Sequence, residues 1–272
     1  MELHIDKDTQ LCMSLAARPG NFGTRFHNLL YHELELNFIY KAFTTRDLRS
    51  AIGGIRALGI RGCAISMPFK EACIEYLDEL DASAKGIMSV NTIVNSDGYL
   101  KAYNTDYTAV SKLIRSSEIP PKAGFAILGS GGMGKAVACA LSEAGFANGS
   151  IVARNEVAGS ALAHQYGFEW KREITSEMPE LLINVTPIGM AGGIEAGQLA
   201  FPEELVRAAR FIFDVVALPV ETPLIRLARS LGKKIITGAE VIVLQAVEQF
   251  VLYTGVRPGR ELIERAAAFA RL

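Results

Sequence analysis

Residues 125–134 read FAILGSGGMG, and this stretch decides the predicted fold. The four apolar residues indicate a short buried strand, and the glycines at 129, 131 and 134 match the pattern G-x-G-x-x-G ahead of a helix expected over 135–143. In that context the glycines permit a tight turn, close approach of a pyrophosphate and close packing of helix on strand. The helix N-terminus then presents free N–H groups to phosphate. A tight turn without ligand is the alternative, and the context favours a dinucleotide.

Further apolar runs extend the same sheet. Strands are expected over 150–153, 181–185, 210–216 and 234–238. Strands alternating with helical stretches are typical of α/β layers around a mostly parallel sheet, whose ligands gather at the carboxyl ends of the strands. The cofactor-binding candidates at these ends are Gly129, Gly131, Gly132, Met133, Gly134, Arg154, Asn155, Thr186, Gly189, Val215 and Gly238.

Arg154 stands at the end of the second of these strands, about where NAD-binding folds place an acidic residue for the ribose 2′-hydroxyl. A guanidinium can hold a 2′-phosphate through paired hydrogen bonds, whereas a carboxylate would repel it. We therefore predict a preference for NADP over NAD. A solvated loop charge is the alternative, and the acidic neighbour Glu156 weighs against the preference.

The first third of the chain predicts a second α/β region. Strands are expected over 38–43 and 62–66, with a helix between them. Pro68 follows the second strand and can begin a helix, which places Lys70 in the first helical turn. Two strands joined by a tight turn over 95–98 then carry Asn91 towards the string Asn104-Thr105-Asp106. We expect residues 1–106, completed by helices over 239–272, to form one domain and residues 107–238 another.

Composition excludes several classes of partner. The 272 residues carry 28 basic and 29 acidic side chains, which create no field that attracts nucleic acid or an anionic membrane. The N-terminal sequence lacks the pattern of a signal peptide, and no apolar run is long enough to span a bilayer. The four cysteines are scattered without metal-ligand spacing. We expect a cytoplasmic protein without metal, either a monomer or a homodimer.

Six strings in order resemble the shikimate dehydrogenase family, most closely its shikimate dehydrogenase-like branch. They are SMPFK at 66–70, SVNT at 89–92, YNTD at 103–106, GSGGMG at 129–134, NVTPIGM at 184–190 and VIVLQAVEQF at 241–250. The resemblance covers nearly the whole chain. It implies a two-domain α/β enzyme of aromatic amino acid biosynthesis, with an N-terminal substrate-binding and catalytic domain, a Rossmann-type NADP-binding domain and the active site in the cleft between them. The family reduces 3-dehydroshikimate to shikimate with NADPH.

The resemblance also implies roles for individual residues. Lys70 and Asp106 take the positions of the catalytic pair, Asn91 and Gln245 take positions that hold substrate hydroxyls, and Ser66 replaces a substrate-facing threonine. A positioned acid or base suits this reaction, because the alcohol proton must leave or return as hydride is transferred. Lysine is ordinarily protonated at neutral pH. Either Lys70 relays the proton, or it stays an ammonium that stabilises alkoxide charge while Asp106 carries the proton.

Departures from the family pattern concern the substrate carboxylate. Asn21 and Gly23 stand where the family has two serines that hold it, so Asn21 is expected to supply one hydrogen bond; Ser14, Arg18 and Arg25 are further candidates. The substrate is thus predicted to be a hydroxylated ring carboxylate, with shikimate handled weakly. Alternatives are a dehydrogenase for quinate or a related ring acid, a non-catalytic NADP-binding sensor, and a two-domain dehydrogenase acting on folates or amino acids. The retained Lys70 and Asp106 argue against the sensor, and the order of the strings after Lys70 argues against the folate or amino-acid dehydrogenase.

Overall fold

The computed structural model describes residues 5–174 and 178–272, and its contacts divide the chain into two compact units. The first unit comprises Met1–Thr105 and Val243–Leu272, and the second comprises Asp106–Ile242. Both division points fall inside helices rather than loops. The roles assigned to the two parts of the chain, substrate binding and cofactor binding, stay predictions.

The first unit is built on a mixed sheet. Its strands are β1 (Gln10–Leu15), β2 (Phe38–Phe43), β3 (Gly62–Ile65), β4 (Glu79–Leu80), β5 (Thr92–Ser96) and β6 (Tyr99–Tyr103). Among the described residues the strand order is β2-β1-β3-β5-β6-β4. β1 pairs in parallel with β2 and β3, whereas β5 runs antiparallel to both β3 and β6. The predicted strands at 38–43 and 62–66 and the hairpin are thus confirmed, while β1 was not predicted.

Helices cover both faces of this sheet. They are α1 (Phe22–Glu33), α2 (Leu48–Ala57), α3 (Phe69–Ala72), α4 (Ala82–Lys85), the later part of α10 (Gly238–Thr254) and α11 (Arg260–Ala270). Successive residues of β1 point to opposite faces, so Cys12 packs in one apolar cluster with α1 and α10 while Met13 packs in another with α2. α2 begins at Asp47, whose carboxylate accepts the Ser50 N–H at 3.0 Å.

The second unit is a doubly wound parallel sheet. Its strands are β7 (Phe125–Leu128), β8 (Gly149–Val152), β9 (Glu169–Lys171), β10 (Leu181–Asn184), β11 (Phe211–Asp214) and β12 (Lys234–Thr237). Their order within the described residues, from one edge, is β9-β8-β7-β10-β11-β12, and all pairings are parallel. Numbered within the unit, this is 3-2-1-4-5-6, the order of dinucleotide-binding folds, which reverses between β7 and β10.

The helices of the second unit are α5 (Thr105–Ser116, continuing from the first unit), α6 (Gly132–Glu143), α7 (Glu156–Tyr166), α8 (Glu203–Ala208), α9 (Pro223–Ser230) and the first residues of α10. α6 begins three residues before the predicted start at residue 135, because Gly131 already occupies the N-cap position. α5 begins at Thr105, two residues before the predicted second domain begins at residue 107. Both shifts place more of the predicted site residues in helical first turns.

Candidate functional site

Lys70 is the second residue of α3 and is half-buried. The chain enters this helix from β3 through a turn closed by the Phe69 N–H, which donates to the Ser66 carbonyl at 2.9 Å. The Lys70 carbonyl accepts the Val90 N–H at 2.8 Å, and Asn91 is the next residue. The predicted position of Lys70 in a first helical turn is confirmed, and its backbone is fixed beside the segment that carries Asn91.

Asn91 lies at the centre of a buried network of neutral polar groups. Its Oδ1 accepts the Thr105 backbone N–H at 2.7 Å and the Thr92 hydroxyl at 2.8 Å. The Thr105 hydroxyl lies 3.0 Å from Nδ2 and 3.1 Å from Oδ1 of Asn91. These three side chains are nearly inaccessible to solvent, so their hydrogen bonds fix their orientation. The expected proximity of Asn91 to the string beginning at Asn104 is confirmed.

Helix α10 adds two glutamines to this network. Gln245 Oε1 lies 3.4 Å from the Thr105 hydroxyl, and Gln249 Nε2 donates to the Thr92 hydroxyl at 3.0 Å and to the Asn91 carbonyl at 3.2 Å. The two glutamines are four residues apart and therefore lie on one helix face. The structure thus brings Gln245 together with Asn91. The sequence interpretation missed Gln249, although two amides with helical spacing on an apolar helix were the available signal.

Asp106 is the second residue of α5 and directly follows Thr105 in the chain. Its side chain is largely buried. An acidic residue in the first turn is favoured by the partial positive charge of the helix N-terminus. Chain continuity therefore places a carboxyl group one residue from Thr105 of the buried network.

Asn21 and Ser66 occupy different surroundings from Asn91. Asn21 is exposed at the N-cap position of α1 and makes no side-chain capping bond there, and Ser66 is exposed at the end of β3. Neither side chain belongs to the buried network around Asn91. Both stand at element ends, where an exposed donor can meet a ligand, and their assignment to substrate stays a prediction.

His27 is completely buried in the first unit. Its ring stacks on Tyr40 with centroids 4.5 Å apart, and neither ring nitrogen has a hydrogen-bond partner. Burial lowers the pKa of His27 to about 3, against a smaller opposing effect of the Gln249 side chain. The imidazole is therefore neutral near neutral pH.

The glycine turn after β7 opens the candidate cofactor site. Gly129 has φ +117°, and a Cβ there would lie 2.9 Å from Val185 Cγ2. A Cβ at Gly134 would lie 2.9 Å from the Gly129 carbonyl oxygen, so this glycine permits close packing of α6 on the turn. In contrast, a Cβ at Gly131 or Gly132 would meet no protein atom within 4 Å. Gly131 and Gly132 therefore leave open space at the N-terminus of α6.

Arg154 and Asn155 follow β8. Arg154 is exposed, two residues beyond the end of the strand. Asn155 is the N-cap of α7, and its Oδ1 accepts the Ala158 N–H at 3.1 Å. The Asn155 side chain thus has a structural role in beginning a helix, while Arg154 is an exposed charged residue beyond the carboxyl end of β8.

Two buried polar residues end the neighbouring strands β10 and β11. Asn184 and Asp214 are paired in register and fully buried, and Asn184 Nδ2 donates to Asp214 Oδ1 at 3.0 Å. Burial raises the pKa of Asp214 above its usual value, although hydrogen bonds from Thr222, Val216 and Asn184 oppose the shift. The sequence interpretation gave these two residues no role, because it read both segments as buried strands and placed cofactor candidates beyond Asn184 and Asp214.

The remaining cofactor candidates lie on those loops. Thr186 N–H and hydroxyl both donate to Asn184 Oδ1, at 3.0 and 2.6 Å, and the Val215 N–H donates to the Asn184 carbonyl at 3.0 Å. Gly189 has φ +88°. A Cβ at Gly238 would lie 2.3 Å from the Val215 carbonyl oxygen, so the structure gives this glycine a packing reason where the sequence suggested approach of a ligand.

Metal ligation and membrane insertion find no support in the described ranges. Within residues 5–174 and 178–272, no three or more histidine, cysteine or acidic side chains are grouped so as to hold a metal ion. None of the helices in that part of the chain is both long and apolar enough to cross a membrane.

The 3-2-1-4-5-6 sheet with its glycine turn defines the class of this protein: a two-domain α/β protein with a Rossmann-type unit. A model of the shikimate dehydrogenase substrate binding domain matches residues 22–93. A shikimate dehydrogenase-like protein from Haemophilus influenzae is 58% identical over 98% of each chain. A shikimate dehydrogenase (NADP(+)) from Pyrococcus abyssi is 37% identical over 89% of this chain and 90% of its own. The chain belongs to the shikimate dehydrogenase family.

Solved structures agree with this assignment. The structure of a shikimate 5-dehydrogenase-like protein covers 99% of this chain and all of its own with a TM-score of 0.96 and 58% identity. Shikimate 5-dehydrogenase from Thermus thermophilus, crystallised with NADP(H) and shikimate, covers 96% of this chain and all of its own, with a TM-score of 0.84 and 28% identity. The resemblance and the two-domain α/β fold class predicted from the sequence are confirmed.

Proposed function

We propose that the protein is an NADP-dependent oxidoreductase that interconverts 3-dehydroshikimate and shikimate. The observation that carries the proposal is the position of Lys70. Its carbonyl accepts a hydrogen bond from the N–H of Val90, the residue before Asn91. The backbone of a potential proton carrier is thus fixed beside the segment that carries a buried set of amide and hydroxyl groups, and groups of this kind suit a polyhydroxylated substrate. Membership of the family and the names of the relatives support the same reaction. In this proposal the first unit binds substrate and the second binds cofactor.

The residues of this chain provide the proton chemistry of the proposed reaction. Bound NADP supplies hydride transfer at its nicotinamide ring. Asn91 and Gln245 hold substrate hydroxyls, and the buried network fixes the Asn91 amide so that little ordering is left to occur on binding. Lys70 and Asp106 exchange the alcohol proton or stabilise charge on its oxygen. Both assignments within the pair stay open.

The second unit fits NADP. A side chain at residue 131 or 132 would occupy the space that these two glycines leave open. This space lies at the N-terminus of α6, and the free N–H groups of a helix N-terminus bind phosphate. The exposed Arg154 lies at the end of the adjacent strand β8. In the proposal the glycine turn holds the pyrophosphate and Arg154 holds the 2′-phosphate, which accounts for a preference for NADP over NAD.

Arg154→Ala is expected to remove this preference. Loss of the guanidinium should raise KM for NADP by about tenfold to a hundredfold and leave KM for NAD within about twofold, because NAD has no 2′-phosphate to hold. Initial rates with each cofactor measure both constants. Arg172→Ala is the control, since it removes an exposed arginine of the same unit just beyond β9. An unaltered ratio of the two constants in Arg154→Ala would refute the role of this residue.

A second substrate is favoured by the surroundings of Gly23. The family resemblance places a carboxylate-binding serine here, yet a Cβ at Gly23 would lie 3.3 Å from the Tyr40 hydroxyl, which is tighter than ordinary packing. A serine would therefore need Tyr40 to shift. The carboxylate must be held differently from the family pattern, and the alternative proposal is a dehydrogenase for quinate or another polyhydroxylated ring acid.

Initial rates of nicotinamide absorbance change test the proposal. We expect NADP-dependent oxidation of shikimate, with kcat/KM lowered about tenfold or more relative to relatives that keep both serines, as loss of one hydrogen bond to a carboxylate predicts. Quinate is the matched comparison, and each substrate is measured with NADP and with NAD. A larger kcat/KM for quinate than for shikimate would favour the alternative substrate. No turnover of either acid, with NADPH still bound, would contradict both proposals.

A further inference from the structure

We infer that Asp214 is a positioning residue for the cofactor: with Asn184 and Thr222, its buried carboxylate fixes the two loops that border the nicotinamide half of the binding site. The inference rests on the proposed NADP binding and adds a role that the glycine turn and Arg154 do not fill. It concerns the second unit alone.

The hydrogen bonds of Asn184 saturate its amide. Nδ2 donates to Asp214 Oδ1 at 3.0 Å and to the Ile188 carbonyl at 3.1 Å, while Oδ1 accepts two hydrogen bonds from Thr186. Ile188 and Thr186 both belong to the loop that follows β10. A single side chain therefore holds this loop at two points, and Asp214 in turn fixes the orientation of that side chain.

Asp214 holds the loop after β11 in the same way. Its Oδ1 accepts the Val216 N–H at 3.1 Å, and its Oδ2 accepts the Thr222 hydroxyl at 2.7 Å. Thr222 Oγ1 also accepts the Ile225 N–H at 3.1 Å, so it is the N-cap of α9. The carboxylate thus ties the start of the loop to its end.

The two loops also contact each other and the glycine turn. The Ala191 N–H donates to the Leu218 carbonyl at 2.9 Å, and a Cβ at Gly189 would lie 3.3 Å from Thr222 Cβ. On the other side, a Cβ at Gly129 would lie 3.0 Å from Thr186 Cγ2. A continuous set of contacts therefore runs from Asp214 through Asn184 and Thr186 to the turn that is proposed to hold the pyrophosphate.

The strand order shows which half of a dinucleotide these loops border. A dinucleotide in such a sheet lies across the carboxyl ends of the strands, on both sides of the point where the order reverses. β8, which carries Arg154, lies on one side of β7, whereas β10 and β11 lie on the other. With the 2′-phosphate at Arg154, the nicotinamide half lies towards the loops that Asp214 fixes.

Both carboxylate oxygens of Asp214 act as hydrogen-bond acceptors. All three of its neighbours, Asn184, Val216 and Thr222, act as donors towards the carboxylate. An asparagine of the same shape offers one acceptor oxygen and a donor amide, so at least one of the three hydrogen bonds is lost or has its direction reversed. The loops then lose a fixed orientation while the apolar packing of the sheet is unchanged.

Binding of two ligands by Asp214→Asn tests the inference. We expect the Kd of NADPH, measured by its fluorescence, to rise about tenfold, the size of one lost hydrogen bond to a charged group. The probe 2′,5′-ADP carries the 2′-phosphate and adenosine but no nicotinamide, and calorimetry should give a Kd within about twofold of wild type. Unchanged binding of NADPH by the folded variant would overturn the inference, and so would an equal loss for both ligands.

Two variants of Thr222 test the inference even if the Asp214→Asn variant does not fold. Thr222→Val removes the hydroxyl at similar volume and should reproduce the selective loss of NADPH binding. Thr222→Ser keeps the hydroxyl and should bind both ligands like wild type. Equal NADPH affinity of the two Thr222 variants would count against the inference. Wild-type protein that binds neither ligand would instead overturn the proposed NADP dependence, so the two failures are distinguishable.

Discussion

Lys70→Ala is expected to lower kcat for shikimate oxidation by about a thousandfold, the range of a lost general acid or base. Both proton schemes require the Lys70 amine, either as the carrier of the proton or as the charge that stabilises the substrate oxygen. The Kd of NADPH should stay within about twofold, because Lys70 lies in the first unit and the cofactor is proposed to bind the second. Initial rates at saturating substrate measure kcat, and fluorescence titration measures the Kd of NADPH.

Lys85→Ala is the matched control for this prediction. Lys85 is the last residue of another four-residue helix of the same unit, α4, and is exposed. Its removal should leave kcat unchanged. Lys70→Arg separates the two schemes, because a guanidinium keeps the charge but does not release its proton near neutral pH. Partial activity of Lys70→Arg would favour charge stabilisation by Lys70, and near-normal activity of Lys70→Ala would refute both schemes.

Gly131→Ala is expected to raise the Kd of NADPH by about a hundredfold while the free energy of unfolding falls by only about 1 kcal/mol, because alanine is a poorer N-cap than glycine. Gly131 has φ −77° and ψ −170°, which any residue adopts, and a Cβ there meets no protein atom within 4 Å. The methyl group therefore costs the protein little. Its volume falls in the space where a pyrophosphate is proposed to approach the backbone.

Gly259→Ala is a close control for Gly131→Ala. Gly259 is the N-cap of α11 in the first unit, has φ −69° and ψ 157°, and likewise has open space around a built Cβ. It should leave NADPH binding unchanged and lower the free energy of unfolding by a similar amount, about 1 kcal/mol, because it makes the same change at an N-cap. Wild-type affinity for NADPH in Gly131→Ala would leave only the alternative of a tight turn without a ligand.

The sequence predicted the local features of both units. The β7 strand, the glycine turn and a helix after it were recovered, because each is encoded by neighbouring residues and a short period. The first-turn position of Lys70 follows in the same way from Pro68. Strand β1 was missed, although it pairs with both β2 and β3, because its six residues QLCMSL show no clear alternation of polar and apolar side chains.

The candidate site was recovered only in part from the sequence. Asn91 and Gln245 were assigned by family resemblance, but Thr92, Thr105 and Gln249 were not, since only folding brings the α10 residue close to the hairpin. The sequence also showed no sign of the packing at Gly238, whose assignment to the cofactor stays a prediction. A glycine in a sequence indicates that something approaches closely, but only the tertiary structure shows that the neighbour is the Val215 carbonyl.

The sequence by itself determined the class of fold, the glycine turn and the family, because these depend on residue types at short, fixed spacings. Only the tertiary structure decided that Asn91 is held by residues of α5 and α10, and that Asn184 and Asp214 join two loops. Asn184 and Asp214 are 30 residues apart in the chain, and their contact depends on the register of β10 and β11. Strand register and helix packing are collective results of burying the apolar core, so no local pattern records them.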